Sequence, residues 1–194
     1  MRRLVMLAAL VVLPLVVVAQ DLPKTEIFGG YSYLRNNGNG FNGWEGQGTV
    51  NFARYLGATA DVGGSYRTAT AFSPLSGFSV SANQRLYTFL FGPTVTSSFN
   101  KVSVFGHGLF GGAHSSLGAG IAGLSTGVNS ATAFAMAFGG GVDIGLTQHF
   151  AIRPAQVDYL YTHFNAFDAL STGLSSTGGH QNSFRYSAGI VFRF

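Results

Sequence analysis

The sequence predicts an all-β fold, an eight-stranded antiparallel up-and-down transmembrane β-barrel, and three observations carry that prediction. Beyond residue 25 the chain alternates apolar and polar residues with period two, which is the mark of strands with two unlike faces. Only 9% of the residues are charged, against roughly 25% in ordinary soluble proteins, so the chain makes a poor surface for water. No segment after the first twenty residues runs apolar without polar or proline breaks for the ~20 residues a spanning helix needs. The length of 194 residues suits one domain.

The first segment reads as an export signal, residues 1–19, ahead of a barrel domain over residues 20–194. Arg2 and Arg3 form a positive start, Leu4 to Val18 is apolar, and Val17-Val18-Ala19 offers small residues for cleavage after Ala19. Pro14 interrupts the apolar run, which is too short to span a bilayer.

Eight strands follow. The second shows the alternation best: Trp44, Gly46, Gly48, Val50 and Phe52 oppose Glu45, Gln47, Thr49, Asn51 and Ala53. The third repeats it from Ala58 to Arg67, with Ala58, Ala60, Val62 and Tyr66 against Thr59, Asp61, Ser65 and Arg67. The last sets Tyr186, Ala188, Ile190, Phe192 and Phe194 against Arg185, Ser187, Val191 and Arg193. Less cleanly, Thr25 to Arg35, Arg85 to Val95, Val102 to Gly112, Thr132 to Ile144 and Phe150 to His163 complete the count. Thr132 to Ile144 is rich in Ala, but Gly139, Gly140 and Gly141 each disfavour a helix interior by ~1 kcal/mol. In the seventh strand the polar phase slips, from Arg153 at an odd position to Gln156 and Asp158 at even ones. Pro154 lies inside the slip and cannot donate to a ladder, so a β-bulge is expected at Pro154 and Ala155.

Connections are expected to alternate. Asn36 to Gly43 reads as a loop, and Thr68 to Gln84, His114 to Ala131 and Phe164 to Asn182 as long ones. Arg54 to Gly57, Ser97 to Asn100 and Leu146 to His149 read as short turns. Long ends on one side and short ends on the other are the pattern of outer-membrane barrels, and an even strand number leaves both termini in the periplasm.

Alternation alone does not say which face points inward, and a soluble barrel of the lipocalin kind is the alternative. The polar face carries Glu45, Asp61, Arg67, Asp143, Arg153, Asp158, Arg185 and Arg193, both signs together, which suits a narrow lumen filled with ion pairs. The apolar face has too few charges to be a solvated exterior. Aromatics fall near strand ends, with Trp44 and Tyr66 toward the loops and Phe52, Phe192 and Phe194 toward the turns, as two interfacial girdles require. Val50 is therefore expected against the bilayer and Asn51 in the lumen. Eight strands leave an interior just wide enough for side chains, so no wide pore is expected.

Four segments resemble the outer-membrane β-barrel domain family, the OmpA-like small barrels of Gram-negative envelopes. They are Phe28-Gly29-Gly30-Tyr31-Ser32-Tyr33, Val104-Phe105-Gly106-His107-Gly108-Leu109-Phe110-Gly111, Ile152-Arg153-Pro154-Ala155-Gln156-Val157-Asp158-Tyr159 and Ile190-Val191-Phe192-Arg193-Phe194. The resemblance spans the mature chain. It implies that Phe192 and Phe194 act as an assembly signal and that the barrel-assembly machinery is a transient partner. The family's additional peptidoglycan-binding domain is not expected, because the chain stops at strand eight.

Motifs for chemistry are weak. Gly38, Gly40 and Gly43 match a dinucleotide fingerprint, but a strand follows where a helix is required. Gly123, Ser125 and Gly127 match a nucleophile elbow without the strand-to-helix turn that it needs. His107 is placed on the lumen face with Phe105 and Leu109, His149 at a turn, and His114 and His180 in loops, none at a compact ligand spacing. His163 is placed outward near the loop end. With no His-x-Ser-Asn motif, it is an interfacial histidine in the leading reading and the catalytic group of a lipid-modifying hydrolase in the alternative.

The expected role is that of a non-catalytic outer-membrane protein of the bacterial envelope, touching its surroundings through outer loops, with no catalytic, cofactor-binding or metal residues assigned and no cofactor. Expected partners are outer-membrane lipids and lipopolysaccharide, and the chain is expected to be a monomer. Nucleic acid is not expected, because the formal charge of +4 includes Arg2 and Arg3 of the signal segment and no basic cluster exists. The chain has no cysteine, which removes disulfides and thiolate metal sites.

Overall fold

The computed structural model describes residues 23–36, 38–72, 79–121, 124–163 and 180–194, so the signal segment and its cleavage point lie outside the described residues. Eight strands form a closed barrel. They are β1 (Thr25–Asn36), β2 (Asn39–Asn51), β3 (Leu56–Phe72), β4 (Ser79–Phe99), β5 (Val102–Ile121), β6 (Leu124–Gly145), β7 (Phe150–His163) and β8 (His180–Arg193). Each strand pairs antiparallel with the next, and β8 returns to β1 from Glu26↔Arg193 to Asn36↔Ser183. Closure gives the backbone N–H and C=O groups partners all round the wall, the condition for placing a sheet in hydrocarbon.

The period-two alternation decides the facing as predicted. In β2, Trp44 and Val50 point outward and are exposed, while Glu45, Gln47 and Thr49 are buried. In β6, Phe134 and Phe138 face out, and Ala135, Ala137 and Asp143 face in, so this Ala-rich segment is a strand. The bulge in β7 is present. Pairing breaks between Arg153 and Gln156 against β8, and between Val142 and Ile144 against β6. Ala151 and Arg153 are buried before the break, Gln156, Asp158 and Leu160 after it. The extra residue re-aims every following side chain by one position, which brings Asp158 into the lumen.

Three of the predicted outer loops are shortened by strand pairing, while residues 164–179 of the predicted Phe164 to Asn182 loop and Gly123 lie outside the described residues. Asn36 to Gly43 is a tight hairpin in which Gly38 takes φ +81° and Asn39 already begins β2. Thr68 to Phe72 pairs with Ser79 to Asn83, which leaves only residues 73–78 of that predicted loop outside the strands and the described residues. His114 to Ile121 pairs with Leu124 to Thr132. His114 thus lies in β5 and His180 opens β8, and neither belongs to a loop. Ser125 and Gly127 likewise belong to β6. The physical reason is common to all these corrections. These stretches are rich in Gly, Ala, Ser, Thr and Asn, so backbone pairing continues while the alternation of large apolar with charged residues that betrays it fades.

At the opposite end, β4 runs to Phe99, past the predicted boundary, and turns at Asn100, whose φ of 56° is one that Asn tolerates. The Leu146 to His149 turn is as predicted.

Strand lengths make the barrel lopsided. β1, β2, β7 and β8 have 12 to 14 residues, whereas β3, β4, β5 and β6 have 17, 21, 20 and 22. About 9–11 tilted residues cross a bilayer. The outermost β2–β3 pair is Asn42↔Tyr66 and the outermost β6–β7 pair is Phe134↔His163. Past those points β3 to β6 continue as a four-stranded wall on one side of the rim.

Candidate functional site

The lumen is stacked in layers. At its centre Arg185 of β8 meets three carboxylates from three strands: Asp61 of β3 at 3.0 Å, Asp158 of β7 at 2.8 Å and Glu45 of β2 at 3.3 Å. Arg153 forms a two-pronged pair with Asp143, at 2.7 and 3.0 Å, and lies between the rings of Phe28 and Phe105 at 4.4 and 4.1 Å. Two glutamines knit the ion pairs together. Gln47 Nε2 donates to Glu45 and Asp61, and Gln156 Nε2 to Glu45 and Asp158, while both amide oxygens accept from Arg153. His107 Nε2 meets Asp158 Oδ1 at 2.8 Å, and Ser187 Oγ donates to Glu45 Oε2. These groups are buried, and a charge so placed persists only when paired and hydrogen-bonded.

Below this layer Phe28, Ala151 and Val191 form a small apolar cluster, and Arg193 pairs with Glu26 at 3.0 Å. Above it lies a layer that the sequence reading missed. Leu34, Phe41, Leu86, Leu90, Leu109 and Leu160 pack inside the barrel against alanines of β5 and β6. The signal for it was present, since these leucines occupy the polar phase of the strands whose alternation is less clean. An ionic layer thus lies under an apolar one, in keeping with an eight-stranded interior just wide enough for side chains.

No group of three or more His, Cys, Asp or Glu residues positioned to hold a metal occurs among the described residues. Gly38, Gly40 and Gly43 lie on the β1–β2 hairpin, not beneath a helix. His163 ends β7, exposed, with Phe134 and His180 as its paired neighbours, neither of which carries a hydroxyl. His149 Nδ1 meets the Arg193 carbonyl oxygen at 3.2 Å at the turn.

The outer wall carries the second arrangement. Exposed Val50, Phe89, Phe91, Phe110, Phe138 and Ile190 form an apolar belt. Phe52, Phe150, Phe192 and Phe194 rim its lower edge, with Phe150 and Phe192 in ring contact at 4.9 Å. At the upper edge Trp44 Nε1 donates to Tyr66 Oη at 3.2 Å, and the Tyr66 and Tyr87 rings meet edge-on.

The sequence matches no family model and no curated protein. The fold is that of small outer-membrane barrels. Ail, the attachment invasion locus protein of Yersinia pestis, solved in complex with the heparin analogue sucrose octasulfate, superposes with a TM-score of 0.54 at 18% identity, covering 88% of this chain and 96% of that one. The outer membrane protein OprG from Pseudomonas aeruginosa gives 0.50 at 13% identity over 91% and 98%. A major outer membrane protein from Thermus thermophilus gives 0.51 at 10% over 87% and 99%.

Proposed function

We propose that this chain is a non-catalytic outer-membrane barrel of a bacterial envelope that makes surface contacts through its outer rim. The observation that carries the reading is the inversion of the chain: charges are sequestered inside, and a belt of large apolar side chains is displayed outside between two aromatic edges. Soluble monomers rarely expose contiguous apolar patches beyond a few hundred Å², whereas a bilayer requires such a belt. In this reading the signal segment is cleaved after Ala19, Phe192 and Phe194 engage the barrel-assembly machinery, the monomer keeps both termini in the periplasm, and lipids including lipopolysaccharide surround it. The lumen network holds the strands in register rather than conducting solutes. The wall of β3 to β6 is the contact surface. Ail, the attachment invasion locus protein, shares the fold, and attachment is the class of role we assign to the wall.

Fractionation of cells expressing the chain with a tag inserted just after Gln20, at the mature N-terminus, tests this. The mature protein is expected in the outer membrane, starting at Gln20, with the tag protected from protease in whole cells and cut after the outer membrane is permeabilised. Recovery of the uncleaved chain in the inner membrane refutes it. Incubation of the purified barrel with radiolabelled lipid A and phospholipid is expected to give no turnover, and turnover abolished by His163→Ala would install the hydrolase reading instead.

A further inference from the structure

On the outward face of β2 to β5, at the upper edge of the apolar belt, sits a hydrogen-bonded aromatic group with a donor to spare. Trp44 Nε1 donates to Tyr66 Oη, and the hydroxyls of Tyr66 and Tyr87 approach to 3.4 Å. An indole N–H only donates. Whichever phenol gives its proton to the other, at least one O–H is left to donate away from the cluster.

A guanidinium and an imidazole flank that leftover donor. Arg85 stands directly across from Tyr66, and His114 directly across from Tyr87. Residues opposite each other on antiparallel strands share a face, with Cβ atoms about 4.5–5.5 Å apart, so both point outward beside the tyrosines. Both are exposed. Arg85 makes no ion pair or hydrogen bond among the described residues, and His114 is steadied by Nδ1 meeting Thr132 Oγ1 at 2.9 Å, which leaves Nε2 available. No carboxylate among the described residues answers the Arg85 charge. The five described acids, Glu26, Glu45, Asp61, Asp143 and Asp158, all turn into the lumen.

Directly below on the same face of β4 are Phe89 and Phe91, 60% and 63% exposed, and below His114 on β5 is Phe110. An occupant must therefore combine an anionic head carrying several acceptor oxygens with apolar tails lying down the wall. A guanidinium, a phenol and an imidazole together suit a phosphate, which Arg engages by two parallel bonds.

We propose that Arg85, His114 and the Tyr66–Tyr87 pair form a binding site for the phosphate of an outer-leaflet phosphorylated glycolipid, lipid A being the chemical type, with its acyl chains on Phe89, Phe91 and Phe110. The proposal rests on the outer-membrane reading and names one lipid contact within it. Such a site orders the lipid that borders the β3 to β6 wall.

Trp44 is the chain's single tryptophan and lies in the cluster, so its fluorescence reports occupancy. Lipid A is titrated into the mature barrel in detergent. A saturable Trp44 response is expected for lipid A carrying both phosphates, with at least tenfold weaker binding for phosphate-free lipid A and for phosphatidylglycerol. Arg85→Ala is expected to weaken lipid A binding at least tenfold, and Arg54→Ala, at the opposite end, to leave it unchanged. Equal binding of the phosphate-free lipid or of phosphatidylglycerol, an unaltered Arg85→Ala variant, or saturation by inorganic phosphate alone overturns the proposal. Insertion of each variant into phosphatidylcholine vesicles is followed in parallel. A parent that fails to insert refutes the outer-membrane reading, whereas one that inserts but shows no phosphate selectivity refutes only the lipid site.

Discussion

Tyr186 Oη donates to the backbone carbonyl oxygen of Pro154 at 2.7 Å, from the outward face of β8 to the bulge in β7. A bulge breaks the ladder locally, and in a bilayer no water would stand ready to satisfy a released carbonyl on the outer wall. The tyrosine therefore completes the bulge that the proline initiates, and the bulge in turn aims Asp158 at Arg185.

Tyr186→Phe is accordingly expected to lower stability by about 1–3 kcal/mol, the cost of leaving a desolvated acceptor unpaired. Tyr159→Phe, on the same outer wall but with no hydroxyl partner among the described residues, is expected to stay within about 0.5 kcal/mol. Reversible urea unfolding of the two variants in lipid vesicles checks this, and equal effects would detach Tyr186 from the bulge.

Arg185 is shared by Glu45, Asp61 and Asp158. Its replacement by Ala strands three buried carboxylates, so a loss of about 3–5 kcal/mol is expected, the range for breaking a buried pair. Arg67→Ala, near the rim where Arg67 lies over Phe41 at 5.8 Å, is expected to cost far less. The same unfolding measurement compares them, and a mild Arg185→Ala would mean that the central layer tolerates water.

Charge placed on the outer wall is expected to cost according to depth. Val50 faces outward as predicted, but it stands one residue from the end of β2 and opposite Thr25, the first residue of β1, so it lies near the turn-side edge. Ala60, exposed on β3 between Gly48 and Phe91, lies nearer the middle of the belt. Ala60→Arg should cost about 2–4 kcal/mol and Val50→Arg about 0–1 kcal/mol. Vesicle unfolding showing Val50→Arg as the worse of the two would displace the belt.

Planar bilayers containing the purified barrel are expected to show negligible conductance, because the ionic layer and the leucine layer each fill the lumen. Stable channels of nanosiemens size would contradict that packing.

The number of strands, their facing and the bulge were legible in the chain, because each is a local pattern. Glu45, Gln47 and Thr49 against Trp44 and Val50 report two unlike solvents residue by residue, and Pro154 marks its own phase slip. The extent of β3 to β6 was not legible. Segments such as Ser115 to Gly120 and Ser125 to Ala131 are made of Ser, Gly, Ala, Asn and Thr with few large apolar residues, so nothing in their residue types distinguishes a paired strand from a loop.

The sequence by itself therefore determined an all-β barrel with a polar interior and an apolar exterior, since side-chain period and composition are properties of consecutive residues. Only the tertiary structure decided which charges meet. Arg185 reaches Asp61 across 124 positions of chain, and Gln156 reaches Glu45 across 111. Such partners are chosen by the stagger of strands around a closed barrel, where register and the one-residue bulge set the height of every inward side chain. The leucine layer, the one-sided wall, and the juxtaposition of Arg85 with Tyr66 and of Tyr87 with His114 follow from that same stagger.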